Sequence, residues 1–565
     1  IMSGGEISGN TSTTSGGGVN VGNGTFIVGG TAKIFGNTRE VNSSNVHLMN
    51  NCFITIGTGD NGAPAPAPGM EVWVQTATAS GVIVQDGASA AIANYFHADQ
   101  VDRGVVYRLT DGPPEQRQLV IVNQGSAEAP FLIHTEAQLR MVGRGSETPP
   151  PAGYENWTLT AHYKLMESIT LPEPSATENN WTPIAKVGSV NNTFTGSFDG
   201  NNHTITGIRF NVLTGTNHGF MANLGEGGEV KDLGLVDFRI PNTTSGSWIG
   251  GIAGDSGGTI INCYVTTDES SFFRVGGASG GIAGRNQGAG TIKNSYYSGR
   301  LVGTGNDVGG IAGQNQGLVE DCYVIGEVTS NADSVGGIVG WNRDTTPAPV
   351  VRNSYATSAV SGVNNVGGIV GANIGIVENC FATGNVSGER KVGGVVGAST
   401  RTVKNSYATG DVTGTDSIIG GIVGHNDGVN SIVENCYSTG TVSGTSDVGG
   451  AVGANDGSVQ NSVALNLALI RTTGAEATFG RLTGIYNGTI SNNRARSNMT
   501  VPTGITATPD ANGIHGADAM QGTALSTVFA GWDPAVWNIV GNLGVGGVLP
   551  TLWGIPESVQ NPVMP

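Results

Sequence analysis

Charge is scarce in this chain of 565 residues. It has 26 Lys and Arg against 43 Asp and Glu, together 12% of the sequence, about half the ordinary share. The balance is negative, with a net charge of −17. Such a surface repels phosphate backbones and anionic lipid, so nucleic acid and peripheral membrane attachment are excluded as partners. It suits a protein outside the cell, and Ca²⁺ is the one cofactor it would recruit. Cysteine is also scarce. Five residues, an odd number without CxxC or His/Cys spacing, make neither a disulfide scaffold nor a zinc site. No apolar run reaches the roughly 20 residues that span a bilayer. None of the eight His residues precedes Glu, so the His-Glu-x-x-His helix of a metalloprotease is absent. A basic, then apolar, leader is absent as well. The chain opens at Ile1 in mid-pattern, as a processed product or a fragment would.

Glycine is abundant, with 93 residues. Each costs roughly 1 kcal/mol inside a helix, which excludes a helical bundle. No Gly-X-Y period supports collagen, and Val and Ile are too frequent for a disordered chain. The glycines are instead periodic. Gly-Gly-(Ile/Val/Ala)-(Ala/Val)-Gly begins at Gly250, Gly280, Gly309, Gly336, Gly367, Gly393, Gly420 and Gly449, at intervals of 30, 29, 27, 31, 26, 27 and 29 residues. Each copy is followed by a string of the type Asn-(Cys/Ser)-Tyr and most by a version of Gly-x-Val-x-Gly, as in Asn379-Cys380-Phe381 through Gly388. Weaker copies at Gly219 and Gly480 bring the array to about ten units. Each unit reads as three short alternating strands, too few to bury a face alone. Stacked units bury it by pairing each strand with its equivalent one turn along. The expected fold is all-β: a parallel β-solenoid, read as a right-handed β-helix of about ten rungs in the main array, with short capping helices.

Stacking aligns the repeat into columns. The first is Asn262, Asn294, Asp321, Asn353, Asn379, Asn405, Asn435 and Asn461, suited to left-handed corners and to amide hydrogen bonds along the axis. The second alternates Cys263, Ser295, Cys322, Ser354, Cys380, Ser406, Cys436 and Ser462. Its thiols lie two rungs apart, about 9.6 Å at the inter-strand spacing. That exceeds the roughly 7 Å a disulfide allows, so they are read as free, buried fillers. The third is aromatic: Tyr264, Tyr296, Tyr323, Tyr355, Phe381, Tyr407 and Tyr437. Alternation sends it outward if Cys/Ser points in; a bend at Asn would turn it inward. Outward, it is a stabilising stack or a platform for sugar.

We divide the chain into a β-rich unit over 1–125 with a Pro-rich loop at 63–69, a connecting or capping segment over 126–180, the repeats over 181–500, and a Trp-rich cap over 501–565. Ile7 and Ile34 stand 27 residues apart, one plausible rung. Thr135–Leu139 carries a capping box for a short helix. Ala517–Leu525 reads as another brief helix, with Trp532, Trp537 and Trp553 folding over the last rung.

Residues 180–553 resemble GLUG-motif repeats of bacterial secreted and surface proteins. The resemblance rests on an ordered set: Trp181–Ile184 with Phe194–Ile205, then Gly-Gly-Ile-Val-Gly with Asn-Cys-Tyr-Ala-Thr-Gly, then Gly531-Trp532-Asp533, Val536-Trp537 and Pro550–Trp553. It implies export and a scaffold or adhesive role, and carries no shared catalytic residues. The expected protein is therefore not an enzyme but a secreted or cell-surface structural protein. Its expected partners are further copies end to end, or a glycan or protein on a cell surface. The alternative is a β-helix that binds or degrades polysaccharide, which needs clustered carboxylates. Two polar clusters offer carboxylates. Asp199 with His203 reads as a structural turn, and His425-Asn426-Asp427 beside Asn455-Asp456 as a solvated corner.

Overall fold

A computed structural model describes residues 1–565 apart from 15, 78–80, 101–102, 111–113, 188–189, 214, 241–247, 268–272 and 474–477. It is a parallel β-solenoid with very little helix, in about 16 turns. That exceeds the ten expected, because turns without the Gly-Gly string also wind into the fold. The chain forms two compact units. One comprises Ile1–Leu132, Arg144–Ser146 and Pro150–Lys164; the other comprises Ile133–Gly143, Glu147–Pro149 and Leu165–Pro565.

In the smaller unit, Ile7 pairs in parallel with Ile34, and Ile34 with Val72. Phe26 pairs with Ile54 on a second face. The inward residues Val28, Ile34, Val46, Val72 and Val74 form its closed core. An antiparallel pair, Arg103–Leu109 with Arg117–Asn123, departs from the winding.

In the larger unit a typical turn has four strands rather than three: Val308–Gly309, Ala312–Asn315, Leu318–Glu320 and Tyr323–Ser330. The last has eight residues, as does Tyr296–Gly303 one turn earlier. Both exceed the expected length because each bends at a glycine of positive φ, Gly299 and Gly326. A Cβ on Gly326 would lie 2.1 Å from the Gly299 carbonyl oxygen. Each strand meets its equivalent in register, for example Val319 against Val351 and Val351 against Val377. The second residue of the Gly-Gly pair explains the repeat itself. A Cβ on Gly310 would stand 2.4 Å from the Gly337 oxygen and 2.6 Å from Val324, so the turns close only on glycine. Inside, Val319, Val324, Val335, Ile338, Val339 and Val351 are fully buried.

The corner column behaves as its residues require. From Asn262 to Asn461 all eight members have φ between 48° and 55°, the region that Asn and Asp tolerate. Their amides link in pairs: Asn262 donates to Asp232 (2.8 Å), Asn379 to Asn353 (3.2 Å), Asn435 to Asn405 (3.2 Å) and Asn492 to Asn461 (2.7 Å).

The next column shows why thiol and hydroxyl alternate. All eight Cys and Ser side chains are buried and all five cysteines are free. Each Ser Oγ accepts the backbone N–H of the Cys one turn earlier: Ser295 from Cys263, Ser354 from Cys322 and Ser406 from Cys380, each at 3.1 Å. The same hydroxyl donates to the carbonyl two residues back, as Ser354 does to Arg352 at 2.8 Å. The Cys Sγ packs against its own strand, 3.1 Å from the Glu320 oxygen at Cys322. The column therefore repeats every two turns.

A second polar column runs through the interior and was not anticipated. Asn286, Asn315, Asn342, Asn373, Ser399, Asn426 and Asn455 are 0–1% exposed. Asn286 donates to Asn315 (2.7 Å), Asn315 to Asn342 (2.8 Å), Asn342 to Asn373 (2.8 Å) and Asn373 to Ser399 (3.0 Å). The chain of donors resumes from Asn426 to Asn455 at 2.7 Å. Its signal was present in the sequence: each member follows the third glycine of the Gly-Gly motif by two residues.

Two outcomes follow for stability. Asn342→Ala removes the acceptor of one buried amide and the donor of another, so it should lower stability by about 2–3 kcal/mol, the usual penalty for unpaired buried polar groups; denaturant melts of the variant check it. The Cys thiols, pushed up to about 12 at Cys322, Cys380 and Cys436 by burial, should ignore a thiol reagent until the protein unfolds, and a reductant should leave the melting temperature unchanged.

Candidate functional site

The aromatic column is a continuous feature of the outer surface. Tyr323 lies between Cys322 and Val324, both fully buried in the core, so strand alternation turns its ring outward. The other members occupy the same register, Tyr264 against Tyr296, Tyr355 against Phe381 and Tyr407 against Tyr437. Successive rings are 4.7–5.1 Å apart and within 9° of parallel. The column thus faces out, and its rings stack face to face along the axis. At the start of the ladder, the Tyr264 ring lies over Gly234 of the preceding turn, where a Cβ would sit 2.3 Å from its Cζ.

The two halves of the ladder differ. Tyr264, Tyr296, Tyr323 and Tyr355 are half-buried, whereas Phe381, Tyr407 and Tyr437 are fully covered. Their cover is the C-terminal segment. Phe529, Trp532, Trp537, Leu549, Leu552 and Ile555 form one apolar cluster with them. Trp532 Nε1 donates to the Asn461 oxygen (2.7 Å), Tyr437 Oη to the Pro550 oxygen (2.7 Å), and Tyr407 Oη to Gln560 Oε1 (3.2 Å). The Trp-rich tail therefore lies along the flank of three turns rather than over the last rung alone. The apolar ring edges there offer more area to bury than a polar strand edge does. The expected helix over Ala517–Leu525 is also corrected. Ala517–Ala519 is a strand paired with Arg494–Arg496, and the helix is Leu525–Val528. The open backbone of Arg494–Arg496 captures those residues as a further strand.

Burial pushes the Tyr407 and Tyr437 phenols far above their usual range, and those of Tyr296, Tyr323 and Tyr355 upward as well. Of the carboxylate candidates, Asp199 accepts the N–H of Asn201 at 2.7 Å, with Asn201 and Asn202 at positive φ. Asp199 and His203 belong to that turn. His425, Asp427 and Asp456 are brought together on adjacent turns. A polar cleft of about 370 Å³ lies between Asn217, Asn223, Glu226, Asp255 and Gln287. Of its lining residues, Asp255 is held from outside the cleft by Arg285, at 2.9 and 2.7 Å, and that guanidinium lies over the Trp248 ring, 3.4 Å from its centroid.

The family comparison addresses the turns that carry this ladder. The GLUG motif matches residues 362–387, 388–413 and 416–443. These three adjacent turns are GLUG repeats. Halomucin of Haloquadratum walsbyi is 28% identical over 180 residues, 32% of this chain and 2% of that protein. A "Putative Gly-rich membrane protein" of Evansella cellulosilytica is 32% identical over 145 residues, 25% of this chain and 15% of that protein. The chain thus spans only a small part of either relative's length. The crystal structure of a "putative immunoglobulin A1 protease" from Bacteroides ovatus aligns with 77% of this chain and 95% of its own, at 18% identity and a TM-score of 0.26. Among the described residues no helix is long and apolar enough to cross a membrane.

The ladder carries its own test. An unfolded tyrosine ionises near pH 10, while Tyr407 and Tyr437 hold their protons longer in the fold. Above that pH the unfolded chain binds fewer protons, so stability should fall as pH rises through 10. Tyr437→Phe should flatten that slope in pH-dependent melts. Trp537→Ala should cost about 3–5 kcal/mol, as truncation of a buried aromatic does, and should make Tyr437 ionise at lower pH in an ultraviolet titration.

Proposed function

We propose that this chain is a structural segment of a secreted or cell-surface protein, adhesin-like or a subunit of an extracellular assembly. One observation carries the reading: turn after turn, the polar and aromatic side chains are committed to ladders along the axis. Corner amides bond to the amides or carboxylates of adjacent turns, buried amides to their own equivalents, and rings stack on rings, while the serine hydroxyls tie to the backbone of neighbouring residues and turns. Two relatives, by name a halomucin and a Gly-rich membrane protein, support a place at the cell surface.

Self-association fits the end of the array. Ile485 and Tyr486, on the turn that begins at Gly480, are 36% and 48% exposed, and Leu482–Asn493 contains no charged residue. An uncharged strand edge is a template for pairing, and here it is a neutral patch on a chain of net charge −17.

A second reading, polysaccharide binding, draws on the polar cleft at Asn217 and Asp255. The aromatic ladder does not support it, because sugars stack on ring faces and these faces are occupied by neighbouring rings. Asp255 is held by Arg285 and by Gln287 (2.6 Å), which favours binding over cleavage.

A panel of polysaccharides separates the readings. No release of reducing ends is expected. Turnover that falls in an Asp427→Ala variant would overturn the structural reading, and glycan-array binding abolished by Asp255→Ala would favour the second. Electron micrographs at rising concentration should show paired or end-to-end particles; monomers at every concentration and salt would count against assembly.

A further inference from the structure

We propose that His425, Asp427 and Asp456 form a binding site for one divalent transition-metal ion, of the Zn²⁺ or Mn²⁺ class. The argument begins with the fold's rule that equivalent residues stack. The position after the buried amide column is occupied successively by Gln287, Gln316, Arg343, Ile374, Thr400, Asp427, Asp456 and Asn487. Only at Asp427 and Asp456 do two carboxylates follow each other. Their turns are in register, with His425 opposite Ala454 and Asn426 opposite Asn455. This sets the carboxylates about one strand spacing apart, roughly 4.8 Å. Like charges so opposed destabilise a sheet, and a cation between them removes the penalty.

The third ligand stands at the same place. His425 pairs with Ala398 on one side and Ala454 on the other, so both neighbours leave room around the ring. Its Nε2 is 2.9 Å from Asp456 Oδ2 and its Nδ1 is 3.5 Å from Asp427 Oδ2. The Nδ1 atom is shielded from solvent and has no hydrogen-bond partner. One ligand atom from each of the three residues lies within 4.8 Å of the others. Asn487 Nδ2 donates to Asp456 Oδ1 at 2.8 Å and fixes that carboxylate from outside, as partners of metal ligands do. Lys391 Nζ, 3.9 Å from Asp427 Oδ2, is the cation already present and the competitor of any ion.

The donor set chooses the ion. One imidazole nitrogen with two carboxylate oxygens suits Zn²⁺ and Mn²⁺, whereas Ca²⁺ takes six to eight oxygens. Three protein ligands leave further positions to water, and Asp427 and Asp456, with side chains 45% and 35% exposed, admit both ion and water. On binding, one imidazole nitrogen exchanges its carboxylate contact for the metal. The ion would then bolt two adjacent turns together beside the last GLUG motif.

The test is calorimetric titration of the chelator-treated full chain with Zn²⁺, and separately with Mn²⁺ and Ca²⁺, with melting temperatures read in parallel. One Zn²⁺ per chain is expected, bound at least about tenfold more tightly than Ca²⁺, with a melting temperature that rises with ion concentration as linkage requires. Binding should weaken at least about tenfold in His425→Ala and in Asp456→Asn, and tighten in Lys391→Ala, which removes the competing charge. Circular dichroism of the ion-free variants verifies that they fold. Absence of saturable Zn²⁺ and Mn²⁺ binding in the wild type would overturn the site. Binding that persists unchanged in a folded His425→Ala, Asp456→Asn double variant would overturn it equally, by locating the ion elsewhere.

Discussion

Parallel pairing of each turn with the next, in register, is the constraint from which the rest of the molecule follows. It repeats every side chain one strand spacing along the axis, so a residue's main neighbour is its own equivalent. A column survives only if its side chain is compatible with itself. Valine and isoleucine meet that condition by packing. Asparagine meets it because its amide carries both donor and acceptor. Tyrosine meets it through its ring face, in stacks each worth about 0.5–1.5 kcal/mol beyond burial. Lysine and glutamate do not, which accounts for the 12% charge. In the column of Lys293, Glu320 and Arg352 the signs alternate, with contacts of 2.8 and 2.6 Å. Asp427 above Asp456 lacks that alternation, which is why a cation is the natural complement there.

The same constraint explains how the outer surface is divided. A ladder of rings presents edges, and an apolar edge is finished either by solvent or by more protein. The C-terminal segment covers Phe381, Tyr407 and Tyr437, and its polar contacts go to backbone carbonyls and to Gln560. Tyr264 to Tyr355 keep their edges half-buried. Within the ladder each ring face is taken up by a neighbouring ring.

Much of this was legible in the chain. Gly-Gly spacing of 26–31 residues can be read as turns, because only glycine closes a turn against the carbonyl of the next. The corner asparagines could be read from their left-handed preference, and the alternation of Cys and Ser foretold separate thiols. Other features were not legible. Asn315 and its equivalents recur at a fixed place in the repeat, but their burial was not legible, since a lone buried amide is unfavourable and its partner is the same residue 27 or 31 positions away. The fourth strand went unread because a two-residue element such as Val308–Gly309 has too little pattern to register.

The sequence by itself determined the period, the all-β solenoid, the members of the corner, Cys/Ser and aromatic columns and the scarcity of charge, because each is a property of local repetition. Tertiary structure alone decided which way the rings face, where the tail docks, and which polar groups from different turns meet. Those outcomes depend on the bend at each corner and on surfaces distant in sequence: Tyr437 meets Pro550, 113 residues on, and His425 meets Asp456, 31 residues on. Repetition fixes what stacks on what along the axis; closing the chain around that axis fixes what lies beside it.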